Sequence, residues 1–126
     1  MKQFDVYLLV LGRVLMSAVF ILNALGIIDQ SIPAREMVER GAPPGLVPAM
    51  MLAGRAVELL AGLALIWGFF PRFAALALFA FLVPATFVSH SFWLSAGTPA
   101  FMSQLINFSK NMAIWGGLLF IAGSGC

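Results

Sequence analysis

Charge is what this sequence has least of. Its 126 residues carry seven basic and five acidic side chains, 10% of the chain, against about 25% in an average soluble domain. So few ionic groups cannot cover the surface of a water-soluble globule, and a disordered chain would need more of them. Nucleic-acid binding is excluded as well, because no lysine or arginine run exists to follow a phosphate backbone. The pI near 9.2 reflects a net charge of only +2. Cysteine is nearly absent: the single one, Cys126, is the last residue. That permits no internal disulfide, CxxC redox pair or thiolate zinc site, and no metal site is expected. Cys126 is read as inert, with S-acylation or intermolecular pairing as the alternatives. Hydrolytic chemistry has no footing either, for HExxH, a phosphate loop and a workable Ser/His/Asp order are all missing.

What the chain has in abundance is apolar: 62% hydrophobic residues and a mean hydropathy of +1.02. A helix crossing about 30 Å of hydrocarbon needs about 20 mostly apolar residues. Four segments meet this: 6–28 containing Arg13, 46–68 containing Arg55 and Glu58, 73–92 with no charge, and 105–123 containing Lys110. Too little remains for an extramembrane domain. The expectation is all-α, one domain over residues 1–126, an integral membrane four-helix bundle. Barrel strands are excluded because runs this long lack period-2 alternation. Segment 6–28 is read as a retained first span, being too long for a signal-peptide core and lacking a small-x-small cleavage site.

The connections differ in character. Phe69-Phe70-Pro71-Arg72 is a tight turn that makes spans two and three antiparallel neighbours. Loop 29–45 holds Asp29, Arg35, Glu36, Glu39 and Arg40. Pro33 suits a first helical position and Gly41 a helix end, with Ala34, Met37 and Val38 on one face. This predicts a short amphipathic helix lying at the membrane interface. Segment 91–104 is uncharged, carries Trp93, and reads as an interfacial or re-entrant hairpin. An even span count puts both ends of the chain on one side, here the terminal side, opposite the loop side. Lys2, Arg72 and Arg13 face Arg35, Arg40 and Lys110 across the membrane, so the positive-inside rule gives no orientation.

Charges at hydrocarbon depth cost about 2.5–3.5 kcal/mol each on insertion scales and persist when paired, hydrated or used. At about 1.5 Å per residue, Arg13 and Glu58 lie roughly 10 and 15 Å from the terminal side. Arg55 and Glu58 share a face at i, i+3. Glu58 is therefore expected to serve both Arg13 and Arg55, as a plain register-fixing triad or as the centre of a binding site. The functional reading rests on three basic groups, with Lys110, against one carboxylate. That imbalance favours an anion or a group with strong acceptor oxygens, such as a quinone or a small oxyanion. A second polar group, Asn23, His90, Asn107, Lys110 and Asn111, is expected to line a pocket open to the loop side; the alternative is interhelical hydrogen bonding. His90 is open to three readings: hydrogen-bonded interface residue, proton carrier, or haem ligand with a methionine as the second. Pro84 should kink span three. Gly54, Gly62, Ala113 and Gly117 should let helices approach closely. Gly12-Arg13 and Gly54-Arg55 repeat a dipeptide, too short to claim an internal repeat.

Several of these residues together resemble the DoxX family of small four-span bacterial membrane proteins, particularly its YphA/YqjF-like branch. The resemblance rests on Arg13, Gly41-Ala42-Pro43, Val57-Glu58, Gly68-Phe69-Phe70-Pro71-Arg72, Ser89-His90-Ser91-Phe92-Trp93 and Ile106-Asn107-Phe108-Ser109-Lys110-Asn111, in this order. One departure is Ala24-Leu25-Gly26-Ile27, where members often have Gly-x-x-Lys. The resemblance implies a bacterial inner-membrane protein and, from the founding members, a subunit of a thiosulfate:quinone oxidoreductase. The leading expectation is a membrane subunit of a quinone-linked redox system, with quinone as ligand, electrons from a partner protein or bound cofactor, and the lipid bilayer as surroundings. A non-enzymatic adaptor docking a partner through the interfacial helix and the Trp93 loop is the alternative. A small-anion carrier is the third reading, and four spans would then require a homo-oligomer.

Overall fold

Every apolar segment of the sequence becomes a helix in the computed structural model, which describes residues 2–27, 29 and 31–124. Among them are α1 (Gln3–Ala24), α2 (Ser31–Glu39), α3 (Val47–Trp67), α4 (Pro71–Ser89), a 3-10 turn (Phe92–Ser95) and α5 (Ala100–Ser124). Four of these, α1, α3, α4 and α5, are long and apolar enough to cross a membrane. Cys126 and the expected end of span one at Ile28 lie outside the described residues.

The helix ends follow local chemistry rather than hydropathy. α1, α2 and α3 all close on a left-handed glycine: Gly26 (φ 78°), Gly41 (φ 98°) and Gly68 (φ 73°). At each, the glycine N–H and the next N–H turn back to earlier carbonyls. In α1 these are Gly26 N to Asn23 O (3.1 Å) and Ile27 N to Leu22 O (3.2 Å), the Schellman arrangement. Span one thus stops at Ala24, not 28, although Leu25 and Ile27 are apolar. α2 begins at Ser31, with Pro33 third rather than first, because the Asp29 carboxylate accepts both the N–H (2.9 Å) and the hydroxyl (2.8 Å) of Ser31. α5 begins at Ala100, five residues before the expected 105, since Ser103 and Gln104 are polar yet helix-compatible. Segment 91–104 is therefore a 3-10 turn, a left-handed Gly97 (φ 80°) and the first turn of α5. α4 runs on through Pro84.

α1 packs on α3, α3 on α4 and α4 on α5, and a sparser α1–α5 contact closes the ring. The core is small and short-chained: Phe20, Ala61, Leu65, Ala74, Ala75, Leu78, Leu118 and Ala122. Large apolar residues point outward, with Phe120 83% and Trp67 76% exposed. An apolar exterior over so small a core is what lipid, not water, stabilises. Close approach uses glycine as expected at three positions. A Cβ at Gly54 would meet Phe81, one at Gly62 Ile21, and one at Gly117 Met16; Ala113 is exposed instead. α2 lies against α3 and α4, and turns Pro33, Ala34, Glu36 and Met37 inward. The expected apolar face is shifted, since Val38 is 43% exposed.

Candidate functional site

The arginines take up a helix-end pattern that the sequence did not announce. The C-terminus of an α-helix leaves carbonyls without partners and carries partial negative charge. Ala24 O, the last carbonyl of α1, accepts Nε (3.0 Å) and Nη2 (2.8 Å) of Arg55. Ala122 O, near the end of α5, accepts Nε of Arg72 at 3.0 Å. Arg40 donates to Ser91 Oγ (3.2 Å), and Ser91 in turn donates to Phe87 O at the end of α4. Arg13 lies over Gly68 at the end of α3, where a Cβ would stand 3.1 Å from its Nη2; a Cβ at Gly26 would stand 3.3 Å from Nη2 of Arg55. The Gly-Arg dipeptides of α1 and α3 therefore serve reciprocally. Each arginine reaches the glycine that ends the other helix, and each glycine stands thirteen residues beyond its own arginine.

This corrects the expected triad. Glu58, 3% exposed, accepts a hydrogen bond from Asn23 Nδ2 at 2.6 Å. The one ion pair among the described residues is Arg40 with Glu39 at 3.4 Å. Arg13 lies over Gly68, ten residues from Glu58 along α3, about 15 Å of helix. Its Nε is buried without a partner. Arg55 acts on Glu58 only through the field at longer range. Asn23, expected with His90, belongs to Glu58. Lys110 is exposed on α5, so it adds nothing to the interior charge.

A second cluster occupies the loop-side end of the α4–α5 seam. Gln104, Phe108, Asn111 and Trp115 follow at spacings of four, three and four and share one face of α5. His90 Nδ1 pairs with Gln104 Oε1 at 2.8 Å. Asn111 Nδ2 donates to Thr86 Oγ1 at 3.1 Å, and Thr86 donates to Leu82 O at 2.7 Å. Between these polar pairs Phe87 stacks on Trp115 (6.2 Å, 22°) and meets Phe108 edge-on (5.4 Å). Phe92 and Trp93 close on Phe108 at 5.2 and 6.2 Å, and Trp115 Nε1 is buried without a partner. α2 covers this end, with Glu36 beside Ser89 and in the field of His90 and Arg40. The structure thus joins His90 and Asn111 in one seam, leaves Asn107 half-buried beside it, and adds Gln104, Thr86, Glu36, Arg40 and Ser91. The 104–108–111–115 spacing, and the i, i+4 pair Glu36 and Arg40, were the signals available for these residues.

Two carboxylates of the α2 region, Glu36 and Asp29, are shifted in opposite directions. Partial burial pushes the Glu36 carboxyl above its ordinary value, opposed by His90, Arg40 and Ser89. The two hydrogen bonds from Ser31 hold Asp29 below its own. A raised Glu36 favours the docked helix fully below the ordinary glutamate value and loses that contribution as pH rises through the raised one. A lowered Asp29 contributes above the ordinary aspartate value and loses it as pH falls through the lowered one. Amide-exchange protection of α2, corrected for intrinsic rates, is expected to peak in the ordinary carboxylate range. Glu36→Gln should flatten the upper limb and Asp29→Asn the lower. A monotonic profile in the wild type would contradict the assignment.

Four apolar helices in a closed ring, with arginines at the helix ends and a polar–aromatic seam, define an integral, multi-pass membrane protein. The chain belongs to the DoxX family, whose model matches residues 8–91. That match takes in Arg13, Asn23, Glu36, Arg40, Arg55, Glu58, Arg72 and His90, and stops before the α5 side of the seam. No curated protein and no solved structure matches the chain significantly.

Proposed function

We propose that this protein is the membrane subunit of a quinone-linked oxidoreductase system of a bacterial inner membrane, with the loop-side end of the α4–α5 seam receiving the quinone headgroup. One observation carries the reading: His90 pairs with Gln104 at the end of the seam that holds the rings of Phe87, Phe92, Trp93 and Phe108, with Glu36 in the field of His90. A quinone headgroup is flat, presents two carbonyl acceptors and takes up two protons with two electrons. Aromatic faces suit the ring, and the Gln104 amide supplies a donor for a carbonyl. In the tautomer that donates from Nδ1 to Gln104, Nε2 of His90 keeps its lone pair and exchanges protons, with Glu36 as the neighbouring acid. Electrons come from a partner protein or a bound group, since this chain brings no redox-active pair of side chains.

The adaptor reading keeps an observation of its own. Arg55 and Arg72 bond helix-end carbonyls, and Arg13 lies over the end of α3. The imbalance of charge then has a structural cause, and an anion carrier loses its motive. Quinone titration decides between the two remaining readings. Trp93 and Trp115 stand at the seam, so a Trp67→Phe protein in nanodiscs should show saturable quenching by a short-chain quinone. His90→Gln and Gln104→Leu should weaken it about tenfold, about 1.4 kcal/mol. Linear quenching that neither variant changes rejects the quinone site and leaves the adaptor.

A further inference from the structure

We infer that the groove between α3 and α4 on the terminal side is a binding site for one anionic phospholipid, its acyl chain in the groove and its phosphate at the α3–α4 turn. The groove is open to the surroundings, has a volume of about 510 Å3 and is lined by Leu60, Leu63, Trp67, Phe69, Phe70 and Phe73, among others. Leu60 to Trp67 spans about 10 Å of helix, leading from leucines at hydrocarbon depth to aromatic rings at the border, where such rings gather. A lipid chain is the occupant that this gradient fits.

Three features set the groove apart from ordinary lipid-facing surface. First, Phe70 lines it in a left-handed conformation, φ 46° and ψ 55°, directly before Pro71. A bulky residue held there costs on the order of 1–3 kcal/mol and persists only where its surroundings hold it. That conformation sets the Phe70 ring edge-on to Phe69 at 4.6 Å and 6.5 Å from Phe73, so the strained residue shapes the mouth. Second, arginines flank the mouth in the chain. Arg13 covers Gly68, between Trp67 and Phe69. Arg72 falls between Phe70 and Phe73. Its Nε is held by Ala122 O of α5, which fixes the guanidinium on the α5 side of the turn, next to the groove's mouth and not within its lining; a phosphate at the turn would take its Nη donors. Third, the described charges of this side are Lys2, Arg13 and Arg72 against Asp5. An anionic headgroup gains from that field, and the amine of a zwitterionic one does not.

The site is remote from the α4–α5 seam and stands or falls separately from the quinone reading. Trp67 is its reporter. A Trp93→Phe/Trp115→Phe protein in vesicles of brominated phosphatidylglycerol mixed with phosphatidylcholine should show Trp67 quenched at a several-fold lower mole fraction than with brominated phosphatidylcholine. Arg72→Gln should abolish the preference while leaving Trp67 quenched by both lipids. Native mass spectrometry of the unsubstituted protein should show one retained phosphatidylglycerol, lost in Arg72→Gln. Equal quenching by both lipids, with none retained, shows ordinary annular contact and overturns the proposal. Trp67 shielded from both lipids shows the groove covered by protein, a second copy or a partner, and overturns it too.

Discussion

Glu58→Ala is expected to destabilise the bundle by about 1.5–3 kcal/mol, the range for a hydrogen bond to a charged group, read as folded fraction against SDS in mixed micelles. The carboxyl is buried and accepts from Asn23 across the α1–α3 interface. Its loss removes that contact and the longer-range field between Arg55 and the carboxyl. Glu58→Gln keeps an oxygen for Asn23 and should cost clearly less. The size of the alanine effect is diagnostic. Hydrogen bonds between membrane helices average about 0.6 kcal/mol, because the separated helices also find partners. A loss near 0.6 kcal/mol in Glu58→Ala, equal to that in Glu58→Gln, would contradict a charged role for this group. Asn23→Leu should couple strongly with Glu58→Ala in a double-mutant cycle, while Arg13→Leu should be additive with it, since Arg13 serves the far end of α3.

Gly54→Ala should destabilise the bundle by about 1–3 kcal/mol, as overpacking of a tight interface does. An added Cβ would stand 2.7 Å from Cε1 of Phe81, with Cζ and Cδ1 at 3.5 and 3.6 Å. The ring is stiff and packs against the core, so α3 and α4 must part or the ring must leave its place. Gly117→Ala meets only the far end of Met16, its Sδ and above all its terminal methyl, which swings aside on three rotatable bonds. It should cost a few tenths of a kcal/mol. Phe81→Leu should recover most of the Gly54→Ala loss. Equal losses at Gly54 and Gly117 in the same micelle assay would show that these contacts do not set the helix spacing.

Much of the architecture was legible because it answers to one-dimensional quantities. Four apolar runs of membrane length, the breaks at Gly41 and Gly68, and the short helix before Pro43-Pro44 depend on composition and local backbone preference. The ends were displaced wherever a short-range bond outweighed hydropathy. Asp29 captured Ser31 and started α2 early, and Gly26 closed α1 while apolar residues still followed. In the candidate site, depth arithmetic placed Arg13 and Glu58 within reach but could not say which way a long guanidinium turns. It turned to the nearer unsatisfied carbonyl end of a helix, where the attraction needs no paired charge. Gln104 and Glu36 escaped notice because they lie outside the hydrocarbon depth at which polar groups look costly.

By itself, then, the order of residues determined the solvent this protein lives in, the number of its helices and the antiparallel pairing of α3 and α4, because transfer energy and turn geometry are local sums. Partner choice was decided only in three dimensions. Arg55 bonds the last carbonyl of α1, Arg13 lies over the terminal glycine of α3, and Asn23 leaves His90 for Glu58. Such choices depend on rotation of helices about their axes and on which carbonyl lacks a donor, and neither is a local sum over the sequence.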